Sequence, residues 1–307
     1  MTTSAMNECP GGITAPLGFR AAGMYCGIRK IKKDIAMIVS DAPATVAGVF
    51  TLNKTQAAPV LVDKIQLKRS TVCSVIVVNS GNANACTGER GLSDAWEMVR
   101  ATALALNVPE TRVMISSTGV IGQYMPMDKI SPAIAELAGK LSKDGNADTA
   151  EAIMTTDTFP KEAAVRFTLG GRTVTIGGVA KGSGMIAPNM ATMLAFVTTD
   201  IALDQALLAK ALQGANNRSF NRITVDGDMS TNDMVLVLAN GMARNAPITD
   251  NSEEYQLFAA ALEYVLIKLA KMIAKDGEGA TKLIEIMVKG AKSEEEAAQA
   301  EIGRAHV

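Results

Sequence analysis

The stretch GGVAKGSGMIAPNMATMLAFVTTD, residues 177–200, joins a glycine-rich loop to an apolar segment with the composition of a buried strand. Thr192 lies at the junction, directly after Ala191. A threonine at this place has two interpretations. It fills a strand position, since β-branched residues suit a pleated, half-buried surface, or it is a nucleophile that the strand holds and the loop leaves accessible. The choice depends on which base the rest of the chain supplies.

The chain contains one histidine, His306, next to its last residue. Histidine is the most frequent general base and a common transition-metal ligand. Without an internal histidine, the sequence excludes Ser-His-Asp and Cys-His catalysis and most zinc chemistry. Another base becomes available if the bond between Ala191 and Thr192 is cut. The new α-amino group of Thr192 would have a reference pKa of about 7.7–8.0, and it could activate the hydroxyl of the same residue.

Two other loops place polar groups after apolar runs. In VVNSGNANACTG, residues 77–88, asparagines and glycines follow an apolar segment, and a tight turn held by Asx bonds explains them better than a binding loop does. In SSTGVIG, residues 116–122, Thr118 and Gly119 follow another apolar segment. A hydroxyl and a backbone N–H aimed at one point would form an oxyanion hole, although a plain strand-to-loop turn accounts for the same residues.

A third segment, residues 220–241, contains several carboxylates. Asp226, Asp228 and Asp233 have the density of a calcium loop, but the segment lacks the glutamate at the twelfth position of an EF-hand. The sequence therefore predicts no metal site there.

The composition excludes several classes of partner. With 307 residues, 48% of them hydrophobic, the chain can bury a substantial core. The 30 basic and 31 acidic side chains give no reason to expect nucleic acid or an anionic membrane as partner. The four cysteines have no CxxC spacing and are expected to be reduced. The first residues have no secretory pattern, and no run approaches the roughly 18 apolar residues of a membrane span. The sequence thus predicts a cytoplasmic protein.

Strand and helix patterns alternate along the chain, which indicates one compact mixed α/β unit. A helix is predicted over 94–106 with Ser93 as its N-cap, and a long amphipathic helix is predicted around 257–273. A capping box from Ser293 to Glu296 opens a helix that never builds an apolar face. The predicted strands are 34–41 and 47–53, separated by a turn at Ala42-Pro43, then 72–80, 112–118, a hairpin over 163–182 around Gly170-Gly171, 191–200, 234–241 and 281–289.

Six blocks of the sequence resemble the ornithine acetyltransferase family of arginine biosynthesis, whose members are self-processing and are also called glutamate N-acetyltransferases. The resemblance begins at GGITAPLGFRAAG and continues in order, without a large gap, to about residue 292. The blocks are NSGNANACTG, SSTGVIG, IMTTDTFPK, GGVAKGSGMIAPNMATMLAF, FNRITVDGDMSTND and KDGEGATK.

The resemblance implies a fold and a site. The fold is an α/β (α+β) chain folded as a layered α-β-β-α sandwich of the ornithine acetyltransferase / L-aminopeptidase D-esterase-like type. Self-cleavage between Ala191 and Thr192 would give an alpha chain, 1–191, and a beta chain, 192–307, within one compact unit. The implied roles are Thr192 as nucleophile, Thr118 and Gly119 as the oxyanion hole, and Thr155, Lys181, Thr192 and Glu278 as substrate contacts.

The implied reaction is a ping-pong transfer of acetyl from N-acetylornithine to glutamate through an acetylated Thr192. No cofactor is implied, and use of acetyl-CoA as a second donor stays open. The family's usual assembly is two alpha and two beta chains. Two alternatives remain: a related N-terminal-nucleophile amidase or aminopeptidase with water as acceptor, and an inactive fragment.

The end of the chain departs from the family pattern. The family continues for roughly another hundred residues, which carry a further asparagine and a hydroxyl residue of the site. The last seven residues, EIGRAHV, match the translation of a common sequencing adapter, so 301–307 are expected to be foreign to the natural protein. The helix beginning at Ser293 should then be followed by more strands, and apolar surface should be exposed near the end of this chain.

Overall fold

Within the part of the chain described by the computed structural model, residues 6–187 and 193–305, there are nine β-strands and seven α-helices. The strands are β1 Met6–Glu8, β2 Phe19–Met24, β3 Ile35–Phe50, β4 Val72–Asn82, β5 Val113–Val120, β6 Lys161–Leu169, β7 Arg172–Lys181, β8 Leu194–Thr199 and β9 Met234–Ala239. The helices are α1 Ala58–Arg69, α2 Gly88–Leu106, α3 Met127–Ala138, α4 Asn146–Ala152, α5 Gln205–Asn217, α6 Glu253–Lys275 and α7 Glu294–Ala305.

The strands form one hydrogen-bonded sheet in the order β1-β6-β7-β8-β9-β3-β4-β5, with β2 paired to β3. Two neighbouring pairs, β4–β5 and β8–β9, are parallel, and the others are antiparallel. The long strand β3 belongs to both halves, because its first part pairs with β2 and β4 and its last part pairs with β9.

The predicted turn at Ala42-Pro43 is wrong. β3 continues through these residues, and its register to β4 shifts between Val39 and Ala44. Proline has no backbone N–H for a ladder and is tolerated at such an irregularity, which also bends the strand. The proline thus marks the bend that lets one strand serve two layers.

The alternation of side chains along the strands produces three cores in four layers. Leu194 and Phe196 of β8 share a cluster with Ile76 and Val78 of β4, so the two halves of the sheet pack face to face. The residues that alternate with these point outward. On one side they pack against α5 and α6, and on the other against α2 and α3. This is the predicted α-β-β-α sandwich, with the addition that one bent strand joins its two β layers.

Two predicted elements differ from the structure. The helix predicted from 94 begins at Gly88, and Ser93 lies inside it, because the polar loop before it continues directly into the first helical turn. Residues 281–289 form no strand, and among the described residues they pair with no sheet edge. Their apolar side chains Leu283, Ile284 and Met287 are exposed, as was expected near the end of the chain. The hairpin at Gly170-Gly171, the long helix and the Ser293 cap of α7 are confirmed.

Among the described helices, none combines the length and the apolar character that crossing a membrane requires.

Candidate active site

Thr118 and Gly119 lie at the end of β5, beside the end of β4. In this parallel pair Gly119 is opposite Gly81, and a Cβ atom on Gly119 would lie 2.3 Å from the Gly81 carbonyl carbon. Gly119 also has a φ of 133°, which side chains rarely permit. Only glycine therefore allows the two strand ends to meet, and the meeting leaves the Thr118 side chain buried and fixed.

Lys181 ends β7 and is 3% exposed. Its Nζ donates to Thr118 Oγ1 over 3.5 Å, which joins the end of β7 to the end of β5. Burial lowers the pKa of Lys181, and the carboxylates of Asp157 and Asp233 oppose that effect. The sheet register places Lys181 opposite Leu194 of β8.

The chain leading to β8 is fixed by a buried carboxylate. Ala191 and Thr192 lie outside the described residues. The next residue, Met193, donates its N–H to Asp233 Oδ1 over 3.0 Å. Burial raises the pKa of Asp233 well above its ordinary value, although the Met193 hydrogen bond favours the ionised form. Asp233, considered at first as a calcium ligand, therefore holds the backbone next to the predicted nucleophile.

Thr155 lies in the loop between α4 and β6. Its N–H donates to Asp157 Oδ2 over 3.0 Å, and its carbonyl accepts from the Arg29 guanidinium over 3.2 Å. The same Asp157 carboxylate accepts the Gly182 N–H over 2.7 Å, directly after Lys181. One side chain therefore holds two of the predicted substrate-binding segments.

Glu278 follows the end of α6 and is exposed. Its N–H donates to the Ser183 carbonyl over 2.7 Å. Its carboxylate lies against Gly184, where an added Cβ would be 2.8 Å from the Glu278 Cδ. Glu278 is also one of the carboxylates whose charge acts on Lys181. The structure thus brings Thr118, Gly119, Thr155, Lys181 and Glu278 together around the ends of β5 and β7.

The remaining motifs have structural explanations. In the loop 77–88, Asn79 and Asn82 bond within the turn, as the Asx interpretation predicts. Asp226 accepts the N–H groups of Met185 and Ile186, which fixes the loop before the predicted cleavage site. No group of three or more metal-binding side chains is found among residues 6–187 and 193–305.

Sequence reasoning missed three buried charged residues beside the site. Lys161 Nζ lies 2.7 Å from Asp157 Oδ1 and 2.6 Å from Asp276 Oδ2. The available signal was their position inside two of the family-like blocks, IMTTDTFPK and KDGEGATK, in segments otherwise read as loop. Asn232 was also missed; its amide donates to the carbonyls of Ala83 and Ser117 and so ties the loop after β4 to β5.

Comparison with known proteins identifies the family of this chain. The sequence pattern of the ArgJ family matches residues 20–304. The chain belongs to the ArgJ family. It is 57% identical to the arginine biosynthesis bifunctional protein ArgJ of Symbiobacterium thermophilum over 298 residues, which are 96% of this chain and 74% of that protein. It is 50% identical to the Bacillus subtilis protein of the same name, over 92% of this chain and 69% of that one.

Solved structures agree with this membership. A crystal structure of the ArgJ protein of Bacillus halodurans is 44% identical with a TM-score of 0.58, and the match covers 61% of this chain and 98% of that one. The ornithine acetyltransferase of Mycobacterium tuberculosis, solved with ornithine, is 38% identical with a TM-score of 0.56, covering 60% and 98%. An L-aminopeptidase from Ochrobactrum anthropi, at 12% identity and a TM-score of 0.51, shares the fold alone. The prediction of an acyltransferase of arginine biosynthesis is confirmed by the ArgJ family membership.

Proposed function

We propose that this ArgJ family member transfers acetyl from N2-acetyl-L-ornithine to L-glutamate through an acetyl ester on Thr192. The observation that carries the proposal is the grouping of the Lys181 ammonium, the Thr118 hydroxyl and the Glu278 carboxylate. A cation suits the α-carboxylate of either amino acid, and a carboxylate suits the ornithine ammonium. The ornithine complex of the M. tuberculosis relative supports the same substrate class.

The proposed reaction has two balanced halves. The Thr192 hydroxyl adds to the acetyl carbonyl while its own α-amine takes the hydroxyl proton, and the amide bond breaks as ornithine leaves with that proton. The glutamate amine then attacks the threonine ester, the Thr192 α-amine passes the proton that this amine loses to the leaving Thr192 oxygen, and N-acetylglutamate and the free hydroxyl result. Thr118 and the Gly119 N–H would stabilise the oxyanion in both halves, because they are fixed before the charge develops.

The proposal includes self-cleavage as the source of the free amine. The Thr192 hydroxyl would attack the Ala191 carbonyl, and water would hydrolyse the resulting ester to leave a carboxylate on Ala191 and an amine on Thr192. Each of the two solved chains is matched over 98% of its length, and the match takes up 61% or 60% of this chain. Residues 1–191 make up a similar share of the 307 residues. A first chain that ends at Ala191 would have the length of that match.

The test combines mass spectrometry with isotope transfer. The purified protein should separate into chains that divide after Ala191, and acetyl labelled in N-acetylornithine should appear on glutamate. Thr192→Ala should give one uncut chain without transfer, whereas Thr192→Ser should retain part of both. Label released as free acetate would indicate an amidase, and an uncut species with full transfer would contradict the threonine mechanism.

Two finer parts of the proposal have their own measurements. Acetyl-CoA offered as the donor in the same assay decides between one activity and two, with no further cofactor added. We also propose an assembly of two alpha and two beta chains in the cytoplasm. Light scattering of the cleaved protein should give twice the mass of the 32.1 kDa chain.

A further inference from the structure

We propose that Lys161 is a positioning residue, a buried cation that holds the three segments carrying Thr155, Lys181 and Glu278 in one arrangement. This inference rests on the proposed function for the roles of those three residues. Lys161 itself is fully buried at the start of β6, and its ammonium reaches no substrate-facing surface.

The contacts connect Lys161 to each segment through two aspartates. Asp157 Oδ1 binds Lys161 Nζ over 2.7 Å and accepts the Gly182 N–H, while its Oδ2 accepts the Thr155 N–H. Asp276 Oδ2 binds the same Nζ over 2.6 Å and accepts the Thr158 N–H over 2.9 Å. Because Asp276 precedes Glu278 by two residues, the end of α6 is held to the Thr155 loop and to β7.

Charge explains why a lysine is needed at the centre. Asp157 and Asp276 both have side chains almost without solvent contact, and they share one ammonium. Without that ammonium two buried carboxylates would repel each other with no cation between them, which strongly disfavours the observed arrangement. Removal of Lys161 should therefore displace both aspartates, and with them the backbone of all three segments.

The arrangement has a consequence for the ionisation of Lys181. The charged groups acting on Lys181 are Asp157, Asp233 and Glu278, which raise its pKa, and Lys161, which lowers it. Loss of Lys161 removes the repulsion between the two ammonium groups, and this change raises the pKa of Lys181. If protonated Lys181 binds the substrate carboxylate, the alkaline limb of kcat/KM should move to higher pH.

The experiment compares Lys161→Met with Lys33→Met in the whole protein. Lys33 is a matched control, because its ammonium also bridges two carboxylates, Asp148 and Glu151, but it is partly exposed and both partners belong to α4 and not to the three segments. Lys161→Met should raise KM for both acetylornithine and glutamate at least tenfold, with a smaller fall in kcat, and should shift the alkaline limb upward. Lys33→Met should change neither KM by more than about twofold, in line with the small energies of exposed ion pairs.

Amide hydrogen exchange tests the connection without relying on activity. In Lys161→Met, exchange at 155–158, 182–184 and 277–279 should accelerate together by tenfold or more, whereas Lys33→Met should leave these segments unchanged. If the wild-type protein transfers no acetyl, the proposed function fails, but this exchange result still decides the role of Lys161.

A second variant covers the case in which Lys161→Met does not fold. Asp276→Asn keeps an acceptor for the Thr158 N–H but weakens the bond to Lys161, so it should accelerate exchange at 277–279 and raise KM for acetylornithine at least threefold. A folded Asp276→Asn or Lys161→Met protein with unchanged exchange and unchanged KM values would overturn the proposal.

Discussion

Lys181 is almost completely buried, and its ammonium lies beside the Thr118 hydroxyl. Its Nζ donates to Thr118 Oγ1 over 3.5 Å, and the nearby Asp157, Asp233 and Glu278 oppose the lowering of its pKa by burial. Such an ammonium can receive an α-carboxylate without reorganising, which is the condition for a strong charge-assisted hydrogen bond.

Lys181→Ala should weaken both half-reactions, because the two substrates carry an α-carboxylate in common. A hydrogen bond to a charged group is worth about 1.5–3 kcal/mol, which corresponds to a rise in KM of roughly 10- to 150-fold for acetylornithine and for glutamate. Separate steady-state titrations of the two substrates measure this. An increase for one substrate alone would contradict a shared carboxylate anchor.

Asp233→Ala and Asp233→Asn should differ in stability. Alanine leaves the buried Met193 N–H without its acceptor and should lower the free energy of unfolding by about 1–3 kcal/mol. Asparagine keeps an acceptor oxygen. Because burial raises the pKa of Asp233, its contribution to stability is present at low pH and is lost as the pH rises through the folded-state pKa.

The measurement is urea unfolding of both variants and the wild type between pH 4 and pH 8. The free energy of unfolding of the Asp233→Asn protein should increase relative to that of the wild type as the pH rises, since the amide does not ionise. If the alanine and asparagine variants lost the same free energy of unfolding, the contribution of Asp233 to stability would not come from its hydrogen bond to Met193.

At the scale of elements, the site depends on how closely the ends of β4 and β5 approach. Gly119→Ala introduces a methyl group 2.3 Å from backbone that cannot move away, so the strand ends must separate. We expect acetyl transfer to fall by roughly 10²–10³-fold, the loss typical of a displaced oxyanion donor.

Gly122→Ala provides the control for that experiment. Gly122 also has a positive φ, of 74°, but no atom lies within 4 Å of its added Cβ. The Gly122→Ala variant therefore has the backbone strain of a positive φ without a steric clash. Initial rates and melting temperatures of both proteins separate the two effects; a similar loss of rate in both would attribute the defect to backbone strain alone.

The sequence predicted the elements whose patterns are local. The β6–β7 hairpin follows from Gly170-Gly171, and α6 follows from apolar residues at helical spacing. The sequence predicts a turn where β3 bends. A proline such as Pro43 gives the same local pattern whether a strand ends at it or continues through it with a bend. Whether residues 281–289 pair depends on a free sheet edge, which is a property of the assembled sheet and not of that segment.

The residues of the candidate site also fall into those that the sequence predicts and those that only the structure reveals. Thr118, Gly119, Lys181 and Glu278 were found through motifs that resemble a family, and the fold brings them together. Lys161 was not found, because a buried lysine has no local pattern that separates it from an exposed one. Its role appears only when residues 157 and 276, distant in sequence, meet at one ammonium.

At the scale of the whole molecule, the segment after α6 presents an apolar surface. Ile284 is 78% exposed and Met287 is 77% exposed, on a stretch without a strand partner among the described residues. Ile284→Lys combined with Met287→Lys should reduce binding of an apolar dye and self-association of this 307-residue chain, because contiguous exposed apolar side chains promote both. Dye fluorescence and light scattering measure the two effects. The control is Lys282→Met combined with Lys289→Met, which should increase them.

The strand order determines how two separate chains would have to share this sheet. β8 and β9 follow residue 192, yet they lie between β7 and β3, which both precede it. A cut at 191–192 would therefore leave two polypeptides in one sheet, with two strands of the second polypeptide between strands of the first. Each alone would present open edges and an uncovered apolar face. After such a cut, removal of the second piece would leave β7 and β3 without their partners β8 and β9, so the two pieces would have to stay together for the sheet to persist.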